Sequence, residues 1–584
     1  MSTRPLDRRH TIILVVVLAV VLVFAGRLVY VQALEGPRLA QDARESRLWH
    51  STIQASRGDI VDADGEILAT SVQRYNVGVN QRRVPDFTAE IDGEEKRGAV
   101  AVAALLAPVL DRDPAELGAE LVGDSTFSYI ARGLTPEQWR EIAALGLAGI
   151  IEPELTSERI YPNGNTAGNL LGYVGRDGEG LAGLELTMED ALRGVPGSSV
   201  VEVGLHGHSI PTGQQEFVAA EPGDTVHATI DRDIQYRAQQ IIDDSVNRYS
   251  AQWGAIVVQE IGTGRLLAVA DSGAVDPGNY QATPPDQRGS RAIQSTFEPG
   301  STGKVPTFAA ALDTGAVTPT TSFRTPDQLT TASGQTFSDA DEHPTEQLTV
   351  AGILATSSNT GTVQIGDRMS DEERYEYLRA FGFGQRTGVE MPGETPGILA
   401  PPDRWDGRQR YTTMFGQGLA VNLLQNTGVA ATIGNGGVHV PPRLVDGTTD
   451  AAGRFHARET PEGTRVVSEE TAAEMMTMME SVVSDEGTGV LGQLEGYRLA
   501  GKTGTAQVPD ANGRLTRTVA SFVGVAPAEE PRFAVGVVVY HPGHQVPSSI
   551  IAAPAFKEIS AFTLQHLGVA PTTTEPTLFP LRAE

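Results

Sequence analysis

The chain contains no cysteine, which excludes disulfides and thiolate metal sites. Lysine is almost missing as well: it stands only at Lys96, Lys304, Lys502 and Lys557 among 45 basic residues, the remainder being arginine. With 73 acidic residues and a net charge of −28, the chain has too little clustered positive charge to track a phosphate backbone, and no nucleic-acid partner is expected. Phosphate cradles are missing too, since the glycine-rich stretch Tyr161–Gly194 has neither the G-x-G-x-x-G nor the Walker spacing. His206 and His208 form an H-x-H pair with no third ligand nearby and are read as a solvated loop. No metal and no cofactor is therefore expected. What the chain does have is a globular balance, 40% hydrophobic and 20% charged, in a length sufficient for two to four domains.

Long apolar runs are also scarce, and the one present is informative. Thr11–Gly26 reads TIILVVVLAVVLVFAG, without a charge, and continues past Arg27 as LVYVQAL. Sixteen residues make about 24 Å of helix, and adding Leu28–Val31 reaches the roughly 30 Å of a bilayer core if Arg27 snorkels to the interface. Arg4, Arg8 and Arg9 precede the run, which places the N-terminus in the cytoplasm and the rest of the chain outside. A cleaved signal peptide is the rival reading, with Val31-Gln32-Ala33 as a marginal cleavage site. The expected organisation is a cytoplasmic tail (1–10), a transmembrane anchor (11–31), a pedestal domain (36–222), a catalytic domain (223–567) and a disordered tail (568–584) whose Thr and Pro content gives it little to bury.

Alternating segments on either side of Asp64-Gly65 predict a hairpin within Arg57–Thr70. After Gly223 the texture changes. VHATIDRDIQYRAQQIIDDSV reads as strand then helix, and WGAIVVQEIGTGRLLAVAD as a hairpin of buried strands turning at Gly262–Gly264. SFVGVAP and RFAVGVVVY close the domain as strands, followed by a helical APAFKEISAFTLQHL. Strands at both ends of a helical block predict an α+β fold: one antiparallel sheet flanked by helices.

Three short motifs carry chemistry. Ser301-Thr302-Gly303-Lys304 follows the Pro-Gly turn of FEPG and opens a helix, with Pro306 tolerated in its first turn. Ser and Lys at i and i+3 share a face, so the amine reaches a hydroxyl that is a poor nucleophile until a base takes its proton. Lysine serves as that base only when burial or a second cation lowers its proton affinity. Ser357-Ser358-Asn359 is expected inside a continuous helix VAGILATSSNTGTVQIG, and Lys502-Thr503-Gly504-Thr505 in a strand, YRLAGKTGTAQV. There Gly504 is expected to let a substrate approach the strand closely. By chance S-x-x-K is expected about 0.2 times and K-T-G about 0.03 times in such a chain, so the ordered set points to a site.

The ordered S-x-x-K, S-x-N and K-T-G set resembles that of penicillin-binding proteins and class A β-lactamases. RGDIVDADGEILA, SERIYPNGN with GLAGLE, FEPGSTGK, SSN, FGQGLAVNLLQ and KTGTAQ are together similar to the blocks of class B penicillin-binding proteins, from residue 57 to 508. The length and the lack of E-x-x-L-N disfavour a β-lactamase, and residues 36–220 show no glycosyltransferase signature. The FEPGST form is closest to the division-septum branch. The resemblance implies a pedestal for dimerisation or partner binding and a penicillin-binding transpeptidase domain. It implies a serine D,D-transpeptidase that cross-links peptidoglycan stem peptides, with a D-Ala-D-Ala donor and an amine acceptor, and is acylated by β-lactams. Ser301 would be the nucleophile and Lys304 its base. Ser357 and Asn359 would relay the proton and hold the substrate amide. Lys502 would supply positive field, Thr503, Gly504 and Thr505 would bind the substrate end, and the backbone N–H groups of Ser301 and Thr505 would form an oxyanion hole. Implied partners are a multi-pass glycan polymerase and other division-machinery membrane proteins. A D,D-carboxypeptidase, an elongation-type transpeptidase and a penicillin-sensing receptor are the alternatives.

Overall fold

The structure, a computed structural model, describes residues 8–204, 210, 212–509, 515–543 and 546–583. Arg4 and the His206/His208 pair lie outside the described residues. Arg8–Val29 is α-helical and continues through a π turn at Tyr30–Glu35. With a mean hydropathy of 3.1, the span Arg8–Ala33 is the one helix among the described residues long and apolar enough to cross a membrane. Near its end the Arg27 guanidinium lies 5.1 Å from the Tyr30 ring centre, a pairing suited to a headgroup interface.

Contacts divide the chain into two compact units: residues up to Ser56 with Gly194–Pro222, and Arg57–Arg193 with Gly223 onward. In the first, helix Gly36–Glu45 precedes a three-stranded antiparallel sheet of Leu48–Ile53, Gly197–Glu202 and Gln215–Val218. Residues 57–193, within the expected pedestal (36–222), pack with the C-terminal part in this division. Residues 57–193 belong with the C-terminal part because their sheet is shared with it: Ile60–Val61 pairs in parallel with Thr225–Ala228, which in turn pairs with Val445–Thr449. The expected hairpin joins Ile60–Val61 to Ile67–Val79, with Gly65 at φ +87° and Asp62 Oδ1 accepting from the N–H groups of Asp64 and Glu66. Behind it, three sequence blocks meet in one buried ion cluster. Glu185, fully buried, receives Arg57 at 2.6 Å and Arg159 at 2.8 Å, and the Tyr161 hydroxyl donates to it at 3.2 Å. Burial and the neighbouring Glu185 carboxylate push the Tyr161 phenol well above its usual range. Removing one partner from such a cluster typically costs about 3–5 kcal/mol, because the other charge stays buried.

The rest of the second unit has the expected α+β architecture. Strands β1 (Trp253–Glu260), β2 (Leu266–Asp271), β3 (Ala500–Pro509), β4 (Leu515–Ala526) and β5 (Phe533–Tyr540) pair in the order β2-β1-β5-β4-β3, antiparallel throughout. The helices that matter are α1 (Arg232–Tyr249), α2 (Lys304–Asp313), α3 (Val350–Thr356), α4 (Asn359–Gly366), α5 (Leu423–Gly434), α6 (Glu469–Val483) and α7 (Ser548–His566). Period-two alternation sorts the sheet's side chains into two layers. Ile256, Val258, Phe522, Val535 and Val537 pack with Ile234 and Ile241 of α1 and Phe556 and Ile559 of α7. Ala255, Val257, Val523, Val525 and Val538 face Phe308 of α2, Val429 of α5 and Met479 of α6. Burying each large side chain contributes about 1.5–3 kcal/mol, which makes the sheet a rigid platform. β3, the strand of the third motif, lies at its edge.

The C-terminal tail is not disordered throughout. Thr349 donates through N–H to Leu581 O at 3.0 Å and through its hydroxyl to Pro580 O at 2.6 Å, while Arg582 pairs with Glu486 at 2.7 Å. A Cβ on Gly352 would lie 1.9 Å from Leu581 O, so this tail packs directly on α3. Composition misled here because the segment is held by these hydrogen bonds and ion pair and by Phe579 and Leu581, half-buried against the core.

Candidate active site

Pro299 and Gly300 turn the chain into a 3₁₀ turn, Gly300–Gly303, which runs directly into α2. At three residues per turn, Ser301 and Lys304 stack on one face. Gly300 adopts φ +58°, where a Cβ would lie 2.5 Å from Thr505 O on β3. From the opposite side Gly416 donates nothing to this turn but accepts the Gly300 N–H at 2.9 Å. Thr302 fastens the turn from within, its hydroxyl donating to Pro299 O at 2.9 Å and approaching Asn426 Oδ1 at 3.1 Å. The Ser301 turn is therefore clamped between the edge strand and the FGQG loop.

The second motif is not inside one helix. Ser357 has φ +62°, ending α3, and the Ser358 hydroxyl caps α4 by accepting from the Gly361 N–H at 3.0 Å. A left-handed conformation in a residue with a Cβ costs about 1–2 kcal/mol and persists only where its surroundings hold it. Its effect here is to turn the Ser357 carbonyl and hydroxyl onto Lys304. Lys304 Nζ donates to Ser357 O at 2.5 Å and Asn359 Oδ1 at 2.9 Å, with Ser357 Oγ at 3.2 Å. Lys502 Nζ reaches the same Ser357 Oγ at 2.9 Å and Thr503 O at 3.1 Å.

Both lysines are fully buried. Burial pulls Lys304 down from the usual amine range to about 7, against the opposing field of Asp339. Lys502 is also lowered, first by burial and then by Lys304 beside it. Both shifts favour the neutral amine, the form able to accept a proton.

The third motif is where the sequence puts it, on β3, with the Thr503 hydroxyl 2.8 Å from that of Thr488 and Thr505 exposed. Gly504 also has a packing reason within the fold. Its missing Cβ would lie 2.3 Å from Ser521 Oγ and 2.6 Å from Pro299 O, so the glycine admits the Ser301 turn. Gly504→Ala should displace that turn and slow acylation of Ser301 by at least about tenfold, since small misplacements are costly in catalysis. A rate unchanged from wild type, measured with a fluorescent penicillin, would contradict this packing role. Sequence reasoning missed Asp339, Thr488 and Asn426. All three lie outside the three motifs.

Residues 254–561 match the penicillin-binding protein transpeptidase domain, and residues 52–228 the penicillin-binding protein dimerisation domain. The chain belongs to the class B penicillin-binding proteins. Within that family it is 34% identical to penicillin-binding protein PbpB of Mycolicibacterium smegmatis, over 97% of this chain and 91% of that one. It is 30% identical to peptidoglycan D,D-transpeptidase FtsI of Escherichia coli, over 94% and 90%. The crystal structure of penicillin-binding protein 3 from Mycobacterium tuberculosis, complexed with ampicillin, superposes with a TM-score of 0.70 at 29% identity, covering 91% of this chain and all of that one.

Proposed function

We propose that this class B penicillin-binding protein is a serine D,D-transpeptidase that cross-links peptidoglycan stem peptides through an acyl-enzyme on Ser301 and is inhibited by β-lactams. The observation that carries the reading is the pair of buried amines, Lys304 and Lys502, converging on Ser357 Oγ, with Ser301 three residues before Lys304 in the turn that opens its helix. Ser301 Oγ attacks the carbonyl of the penultimate D-alanine, and its proton passes to neutral Lys304. The C–N bond to the terminal D-alanine then breaks, and the departing amine takes a proton back through Lys304 and Ser357. An acceptor amine attacks the ester, yields its proton to Lys304 and restores Ser301. Backbone N–H groups of Ser301 and Thr505 hold the oxyanion, a term worth several kcal/mol in such enzymes. The carboxylate of the terminal D-alanine binds beside Thr503 and Thr505. Its negative charge favours the ammonium form of Lys502, which in turn keeps Lys304 neutral.

Incubation with a pentapeptide donor and an amine acceptor tests this. Cross-linked product is expected; release of free D-alanine alone would make the enzyme a carboxypeptidase. The FEPGST form of the nucleophile segment supports a septal role, with a multi-pass glycan polymerase and other division-machinery membrane proteins as partners of the anchor and the N-terminal region.

The arginines before an apolar helix support a single-pass anchor with the catalytic domain outside the cytoplasm. The protein is expected to remain with membranes after a high-salt wash, and its bulk to be digested by protease added to cells stripped of their wall. A mature form beginning at Leu34 in the medium would overturn that topology.

A further inference from the structure

Asp339 lies outside all three motifs, yet its carboxylate organises the loop beneath them. The side chain is 8% exposed and accepts four hydrogen bonds. Oδ1 takes the N–H groups of Asn359 at 2.5 Å and Thr360 at 2.9 Å. Oδ2 takes the Ser358 hydroxyl at 2.8 Å and the His343 Nε2–H at 3.0 Å. The other ring nitrogen of His343, Nδ1, faces Pro344 O at 2.8 Å. Both nitrogens thus face acceptors, and only the imidazolium donates at both. In agreement, the Asp339 carboxylate raises the proton affinity of His343.

The consequence reaches the base. Asn359, whose backbone Asp339 holds, accepts from Lys304 Nζ through its own side chain at 2.9 Å and donates to Ser338 O at 3.0 Å. Neither Asn359 nor the Ser357 joint can shift without breaking a bond to this carboxylate or to its neighbours. We propose that Asp339, held by a protonated His343, is a positioning residue that fixes Asn359 against Lys304 and supplies the negative field Lys304 feels. The proposal rests on the assignment of Lys304 as base. The charged groups that bear on Lys304 are Asp339 and Lys502, and those that bear on His343 are Asp339 and Glu346, with Asp341 and Glu342 exposed in the loop between.

Opposite charges give opposite effects, and that separates positioning and field from simple structural damage. Removing the carboxylate lowers the proton affinity of Lys304; removing the imidazolium charge that offsets the carboxylate raises it. The test is the acylation rate of the full-length protein in detergent by a fluorescent penicillin, followed across neutral pH. Asp339→Asn, nearly isosteric, is expected to move the acid limb to lower pH by roughly half a unit or more and to lower the plateau several-fold. His343→Gln is expected to move the same limb to higher pH. Midpoints that stay at the wild-type value, or that move the same way in both variants, overturn the proposal. Should Asp339→Asn fail to fold, the upward shift in His343→Gln decides alone. Ser301→Ala is run in parallel: labelling that persists there would refute the nucleophile assignment, a result distinguishable from either pH outcome.

Discussion

Replacing Ser301 with alanine is expected to abolish covalent labelling by a fluorescent penicillin, an effect of at least about a thousandfold in acylation rate, while the thermal unfolding midpoint stays near that of the wild type. The expectation follows from where the turn is held. Gly300, Thr302 and Gly416 fix the backbone on both sides of Ser301, and none of the bonds described for that turn uses the Ser301 hydroxyl. Removing the hydroxyl thus removes chemistry without removing a support. Labelling at wild-type stoichiometry would mean that another hydroxyl is the nucleophile.

Lys304→Arg is expected to lose acylation nearly as completely as Lys304→Ala, by roughly 10²–10⁴-fold, because a guanidinium stays protonated and cannot accept the serine proton. The pH dependence has a definite sign. Burial brings Lys304 to about 7, and the neutral amine is the active form, so the wild-type rate should rise as pH increases through about 7 and then level off. A rate that falls across this interval would mean that Lys304 acts as an acid. The same depressed affinity links to stability. Between about 7 and the ordinary 10.5 the folded chain binds fewer protons at this site than the unfolded chain, so this group's contribution to stability increases with pH across that window. An arginine variant that retained most of the acylation rate would rule out proton transfer by residue 304.

The three motifs that the structure brings together were legible because the proposed reaction demands particular residue types at fixed offsets. Serine and lysine three apart at a helix start, and lysine in a strand at the sheet edge, are local requirements, and the sheet followed from alternation at both ends of the domain. Less was legible where the cause is non-local. The break at Ser357 leaves no mark in the sequence, since a serine at φ +62° is held there by Lys304 and by the cap at Ser358, not by its own preference. Gly504 announced a close approach but not that of Pro299, which is distant in sequence. Pairing of Ile60–Val61 with Thr225–Ala228 joins segments far apart in sequence for the same reason. Asp339 stayed hidden in an acidic run because only the fold brings it beneath Asn359.

The most direct measurement is to trap the acyl-enzyme with a penicillin, digest the protein with trypsin and sequence the modified peptide by mass spectrometry. The modification is expected on the peptide Ala292–Lys304, localised to Ser301 by fragmentation, at one penicilloyl group per chain. A penicilloyl group found on any other residue, or a chain that remains unmodified, would contradict the account.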